Sequence, residues 1–129
     1  MATKQELFET VINHLAKQKA QALDDKSGCA YRGEGGTKCA VGCLIDDEYY
    51  SEDLEGQGAH VLAVQLAVKH SVGMVSDQAF EMLNELQTFH DRFYQAPNLA
   101  IGDRKAKLKS ICERYSVKLP KGTEDMSWV

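Results

Sequence analysis

Apolar residues recur at helical spacing in separate stretches of this chain, and that period decides most of what it can fold into. In residues 3–22, Leu7, Phe8, Val11, Ile12 and Leu15 fall on one side, while Lys4, Glu9, Asn13 and Lys17 fall elsewhere. This is one apolar stripe on a helix, and it must pack against something. Thr3 and Glu6 form a capping-box pair at its start, each side chain covering a free backbone N–H of the first turn. A second helix is expected over 58–70. There Val61, Leu62, Val64, Leu66 and Val68 make it apolar nearly all round, so it is expected at the centre of the core. A third is expected from a Ser76 or Asp77 cap to about Tyr94, with Ala79, Phe80, Met82, Leu83, Leu86, Phe89, His90 and Phe93 inward. A fourth runs from an Asp103 cap to Tyr115, with Leu108, Ile111, Cys112 and Tyr115 inward.

Between the first two helices the pattern changes. The stretch CAYRGEGGTKCAVGCLI holds Gly33, Gly35 and Gly36 between two short segments. Glycine reaches positive φ without steric cost, as a tight reversal needs. Residues 29–32 and 37–41 therefore read as the arms of a small β-hairpin. The alternative is a short helix over 39–45. The expected fold is mainly α, or α+β if the hairpin is counted: about four main helices around one core with a small Gly-rich hairpin at one side. At 129 residues the chain is one domain's worth. Residues 1–120 are expected to form it and 121–129 a loose tail, unless Trp128 docks.

Charge narrows the partners. The net charge of −4 argues against nucleic acid as a direct ligand and against an anionic membrane surface, since both call for a cationic face. The acids are concentrated: Asp46, Asp47, Glu48, Glu52, Asp53 and Glu55 fall within ten residues that hold no base. Residues 104–121 are correspondingly basic, with Glu113 the only acid among seven bases. Two solvated faces are the plain reading. A docking surface for a charged partner, made by Asp46, Asp47, Glu52, Asp53 and Glu55, is the functional one. The N-terminus lacks the charged-then-apolar order of a secretory signal, and no apolar run is long enough to span a membrane. A cytoplasmic protein with reduced thiols is expected.

Some residues are suited to chemistry. Cys39, after the Gly-rich turn, with His90 as base and Asp91 beside it, would make a thiol nucleophile for a small hydrolase or transferase. Adjacent helical residues point about 100° apart, which weakens a literal triad. Cys29, Cys39 and Cys43, spaced C-x9-C-x3-C, with His60 or His90 as a fourth ligand, would make a structural zinc site, although zinc turns usually carry a tighter C-x2-C pair. Against both stands the reading of small buried core residues, and no cofactor is expected on balance. Arg32 lies in an apolar context and calls for a carboxylate, from Asp91 or Glu55.

Together these residues form a pattern, C-x-Y-R … K-C-A-x-G-C-L-I … E-G … L-Q-x-x-H-D. It covers Cys29, Tyr31, Arg32, Lys38, Cys39, Gly42, Cys43, Glu55, Gly56, Gln87, His90 and Asp91 among others. In this the chain resembles a family of small uncharacterised proteins encoded by phages and prophages. The resemblance spans the first three-quarters of the sequence and leaves out the rest. Asp46 stands where many such relatives have proline, which affects only the local turn. The resemblance implies a phage accessory protein working in the bacterial cytoplasm by binding a host protein, such as a defence or transcription factor. It implies no particular activity. Tyr31, Arg32 and Gly42 are expected to serve as structural members of the motif.

Overall fold

The computed structural model describes residues 2–18, 30–58, 61–95 and 101–129, with no side chains described at 91–95, 101 and 102. Among the described residues there are four α-helices: α1 (Lys4–Gln18), α2 (Leu62–Val72), α3 (Asp77–Gln95) and α4 (Ile101–Tyr115). The sequence placed all four. The expected extension of α1 past Gln18 lies outside the described residues.

The helix starts follow their side chains. Thr3 Oγ1 accepts from the Glu6 N–H at 3.1 Å and Glu6 Oε1 accepts from the Thr3 N–H at 3.4 Å, which completes the capping box. Ser76 Oγ accepts from the Ala79 N–H at 3.1 Å, so Ser76 rather than Asp77 caps α3. α4 begins at Ile101, before the expected cap at Asp103. Leu7, Phe8, Val11, Ile12 and Leu15 of α1 are buried, as are Ala79, Met82, Leu83, Leu86, Phe89 and His90 of α3. α3 packs along both α1 and α4. Glu85 of α3 fastens that second contact. Its carboxylate takes hydrogen bonds from Tyr115 and from Arg114 (2.8 Å) and Lys107 (3.3 Å) on α4.

α2 departs from expectation. Val64, Ala67 and Val68 are buried, and the helix as a whole lies against the turns at 42–44 and 47–49. Leu62 and Leu66 are 66% and 44% exposed. A helix apolar all round carries no signal for which side faces inward. Here the compact Val/Ala face packs, and the two leucines lie opposite it.

The hairpin does not form among the described residues. Only one antiparallel bridge, Arg32 to Lys38, joins its two arms, closed by the Gly33 N–H on Thr37 O at 2.8 Å. The described residues between the first two helices instead fold into four 3-10 turns, at Glu34–Gly36, Gly42–Leu44, Asp47–Tyr49 and Glu52–Leu54. The alternative of a short helix over 39–45 comes closer, as the Cys43 N–H reaches Cys39 O at 3.0 Å before the turn tightens. Residues 121–129 fold back on the domain rather than trailing from it. Thr123 and Met126 are buried, and the Trp128 indole N–H donates to Thr123 O at 3.1 Å.

Candidate functional site

Several polar residues of the sequence pattern meet in segment 30–58: Tyr31, Arg32, Lys38 and Glu55 lie in it and Gln87 reaches it from α3. At its centre is Glu55. One carboxylate oxygen accepts from the Tyr31 N–H (2.8 Å); the other accepts from the Arg32 N–H (3.1 Å) and the Tyr50 hydroxyl (2.6 Å). Adjacent amides of an extended strand point to opposite sides, so the expected hairpin partner could have taken only the one at Tyr31. A buried backbone N–H must find some acceptor, and here a side chain over twenty residues away supplies it. The Tyr50 hydroxyl is pushed up to about 12 by burial and by this carboxylate, so it stays a donor at neutral pH.

Arg32 completes the clasp. Its guanidinium donates to the Asp47 carboxylate and to Ile45 O, and it lies 4.7 Å from the centre of the Tyr50 ring. Glu55 was one expected partner for this guanidinium. It binds the Arg32 backbone instead, and Asp47 makes the ion pair. The Arg32 hydrogen bond and charge hold the Asp47 carboxyl below its ordinary value. The Asp91 side chain, the other expected partner, lies outside the described residues.

The helices hold the rest of the segment by its backbone. Gln18 of α1 takes the Lys38 N–H and donates to Lys38 O, both at 2.8 Å, and His14 Nε2 lies 2.8 Å from that same oxygen. From α3, Gln87 Oε1 accepts the Val41 N–H at 2.9 Å. Of these helix-borne groups, only Gln87 belonged to the sequence pattern. His14 and Gln18 left no signal beyond lying on α1 at i, i+4.

Glycine is required at one point by proximity. A Cβ on Gly42 would stand 2.2 Å from Tyr31 O and 2.9 Å from the carbon of that carbonyl. The turn at 42–44 thus lies directly on the strand-like backbone at Tyr31. The Tyr31 hydroxyl runs on to donate to Gln57 O.

The thiol residues sit inside this framework. Cys39 is 2% exposed, and its Sγ accepts from the Gly42 N–H at 3.3 Å. Cys43 is half-buried and donates to Ala40 O at 3.1 Å. Burial, then the neighbouring Cys39, pushes the Cys43 thiol up to about 12, opposite to what a nucleophile needs. His90, the expected base, is 3% exposed. Burial and the nearby His14 bring it down to about 4, so it is neutral at pH 7 and a weak base. Cys39 and His90 thus both lie in the core, where a nucleophile and its base would have to be reached from solvent. Of the three cysteines of the zinc reading, Cys29 lies outside the described residues. Among those described, no three His, Cys, Asp or Glu side chains come together as a metal-holding group.

The depressed His90 value has a measurable consequence. The ordinary imidazole value is 6.5, so between pH 6.5 and about 4 the unfolded chain binds a proton that the folded chain refuses. Stability therefore falls as the pH drops through that window, while His90 contributes no pH dependence above it. From pH 7.5 to 5 the loss is about 2 kcal/mol. Urea midpoints of the wild type and of His90→Asn at the two pH values check this. The variant is expected to lose about that much of the pH dependence.

The acidic residues divide into two groups. Asp46, Asp47, Glu48, Glu52 and Asp53 are exposed, whereas Glu55 is half-buried and turned inward to the clasp. Glu55 thus supports the acidic surface from beneath. No helix among the described residues is long and apolar enough to cross a membrane. Compared with protein-family models, curated proteins and solved structures, the chain matches none of them.

Proposed function

We propose that this chain is a phage-type accessory protein that binds a bacterial host protein, such as a defence or transcription factor, and modulates or inhibits it. One observation carries the reading. Asp46, Asp47, Glu48, Glu52 and Asp53 are exposed on neighbouring turns, which Arg32 ties at Ile45 O and at the Asp47 carboxylate while Glu55 holds the Tyr31 and Arg32 amides and the Tyr50 hydroxyl beneath them. A loop fixed in advance loses little conformational freedom when it docks. A dense acidic surface also speeds encounter with a basic partner and rejects acidic ones. The net charge of −4 favours a protein partner over nucleic acid. The phage and prophage origin, and with it a bacterial cytoplasmic setting, rests on the resemblance in sequence pattern. The reading calls for no cofactor.

The test is a paired capture from bacterial lysate. One bait is the tagged wild type and the other carries Asp46→Asn, Glu48→Gln, Glu52→Gln and Asp53→Asn together, which leaves the Arg32–Asp47 ion pair in place. All four side chains are exposed, so the fold is expected to survive. The wild type is expected to retain one host protein at near-stoichiometric level, and the variant about tenfold less or below. Equal capture by the two baits, or no enrichment over an unrelated acidic protein, contradicts the reading.

A further inference from the structure

The exposed leucines of α2 adjoin this acidic surface. Successive helical residues advance by about 100°, so Leu62, Leu66 and His70 form one row along α2, opposite buried Val64 and Val68. The row does not stop at the helix. The Tyr49 ring stacks on His70, with centroids 5.2 Å apart and planes inclined by 21°. Tyr49 belongs to the Asp47–Tyr49 turn, and the Asp46 N–H just before it donates to Ser71 Oγ on α2 at 2.8 Å. A row of about two helical turns, apolar at Leu62 and Leu66, therefore ends on Asp46, Asp47 and Glu48.

From this juxtaposition we infer that the outer face of α2 is the apolar half of the docking surface, and that its occupant is a basic amphipathic helix of the partner protein. The inference rests on the function proposed above and deepens it. Charge complementarity selects the occupant. A segment whose apolar anchors repeat at i, i+3 or i+4 can seat them along Leu62 and Leu66. Lysines or arginines at one end of that segment then meet Asp46 and Glu48. Lys69, which shares this side of α2, holds its ammonium 5.6 Å from the centre of the Phe80 ring. Leu62 at 66% exposure and Leu66 at 44% leave large apolar area in water at the centre of such a contact, where binding energy concentrates.

The probe is a fluorescein-labelled amphipathic helix of leucine and lysine only, set against a scrambled peptide of the same composition, with fluorescence anisotropy as readout. The wild type is expected to bind the amphipathic peptide at least tenfold more tightly than the scrambled one. Leu62→Gln with Leu66→Gln is expected to erase that preference. Asp46→Asn with Glu48→Gln is expected to weaken both peptides alike, as a charge contribution does. Equal affinity of the wild type for the two peptides overturns the inference, as does a preference that survives the leucine exchange. Sedimentation of the peptide-free protein covers a further occupant: a dimer abolished by the leucine exchange shows that a second copy takes this face and also overturns it. The two proposals fail separately. Host-protein capture that resists the leucine exchange but is lost with the four acids leaves the acidic surface standing and removes α2 from it.

Discussion

Gly42→Ala is expected to cost at least about 3 kcal/mol, a large part of the roughly 5–15 kcal/mol that a domain of this kind has in total. The added Cβ would stand 2.2 Å from Tyr31 O, a backbone atom that cannot rotate away. Relief requires the 42–44 turn to lift from the Tyr31 backbone. That turn carries the packing of both α1 and α2, so lifting it loosens two helices. It also lengthens the contact between the Gly42 N–H and Cys39 Sγ. Gly35 provides the control. Its φ is +70° and a Cβ there would meet nothing within 4 Å, so Gly35→Ala carries only the backbone strain, about 1–2 kcal/mol. Chemical denaturation of the two variants separates the effects. A Gly42→Ala protein as stable as Gly35→Ala would show that the close approach is absent.

Glu55→Ala is expected to cost about 3 kcal/mol. It leaves the Tyr31 and Arg32 amides and the Tyr50 hydroxyl without their acceptor at once. Hydrogen bonds to a charged acceptor contribute more than neutral ones, and abandoning a donor away from water adds its desolvation. Tyr50→Phe removes only one of the three and is expected to cost about 1 kcal/mol. In Glu55→Ala the same tyrosine change is expected to cost markedly less, because its acceptor is already gone. Equilibrium unfolding of the two single variants and the double variant measures that coupling. Additive losses would mean that Glu55 and Tyr50 act independently and that the clasp is not one unit.

The elements read most directly from the sequence are those that answer to local period. The α1 and α3 stripes, with their Thr3 and Ser76 caps, depend on residues three and four apart, and the structure places them as the spacing requires. Long-range decisions left no such trace. Among the described residues the expected hairpin gives way to turns, and the Tyr31 and Val41 amides go to Glu55 and Gln87, side chains dozens of residues away whose reach no spacing encodes. The inward face of α2 was hidden because valine, alanine and leucine occur on all its sides. Arg32 does meet a carboxylate, as its apolar context requires. Choosing Asp47 over Glu55 depended on two turns that neither period nor composition reveals. Gly42 is expected from the pattern only as a structural member, and the packed backbone shows what that role is: close contact with Tyr31 O.

The function proposed above requires Glu55, Arg32 and Tyr50 to hold the acidic surface while Cys39 stays a buried core thiol. Peptide-resolved alkylation by iodoacetamide at pH 7.5 tests that requirement most directly. Cys39 is 2% exposed and engaged by the Gly42 N–H. In the native protein its modification is expected to be at least about a hundredfold slower than in denaturant, and to follow the rate of unfolding. Native Cys39 that reacts as fast as in the unfolded chain, and slows when His90 is replaced by asparagine in a folded variant, would contradict the account and establish a thiol centre in its place.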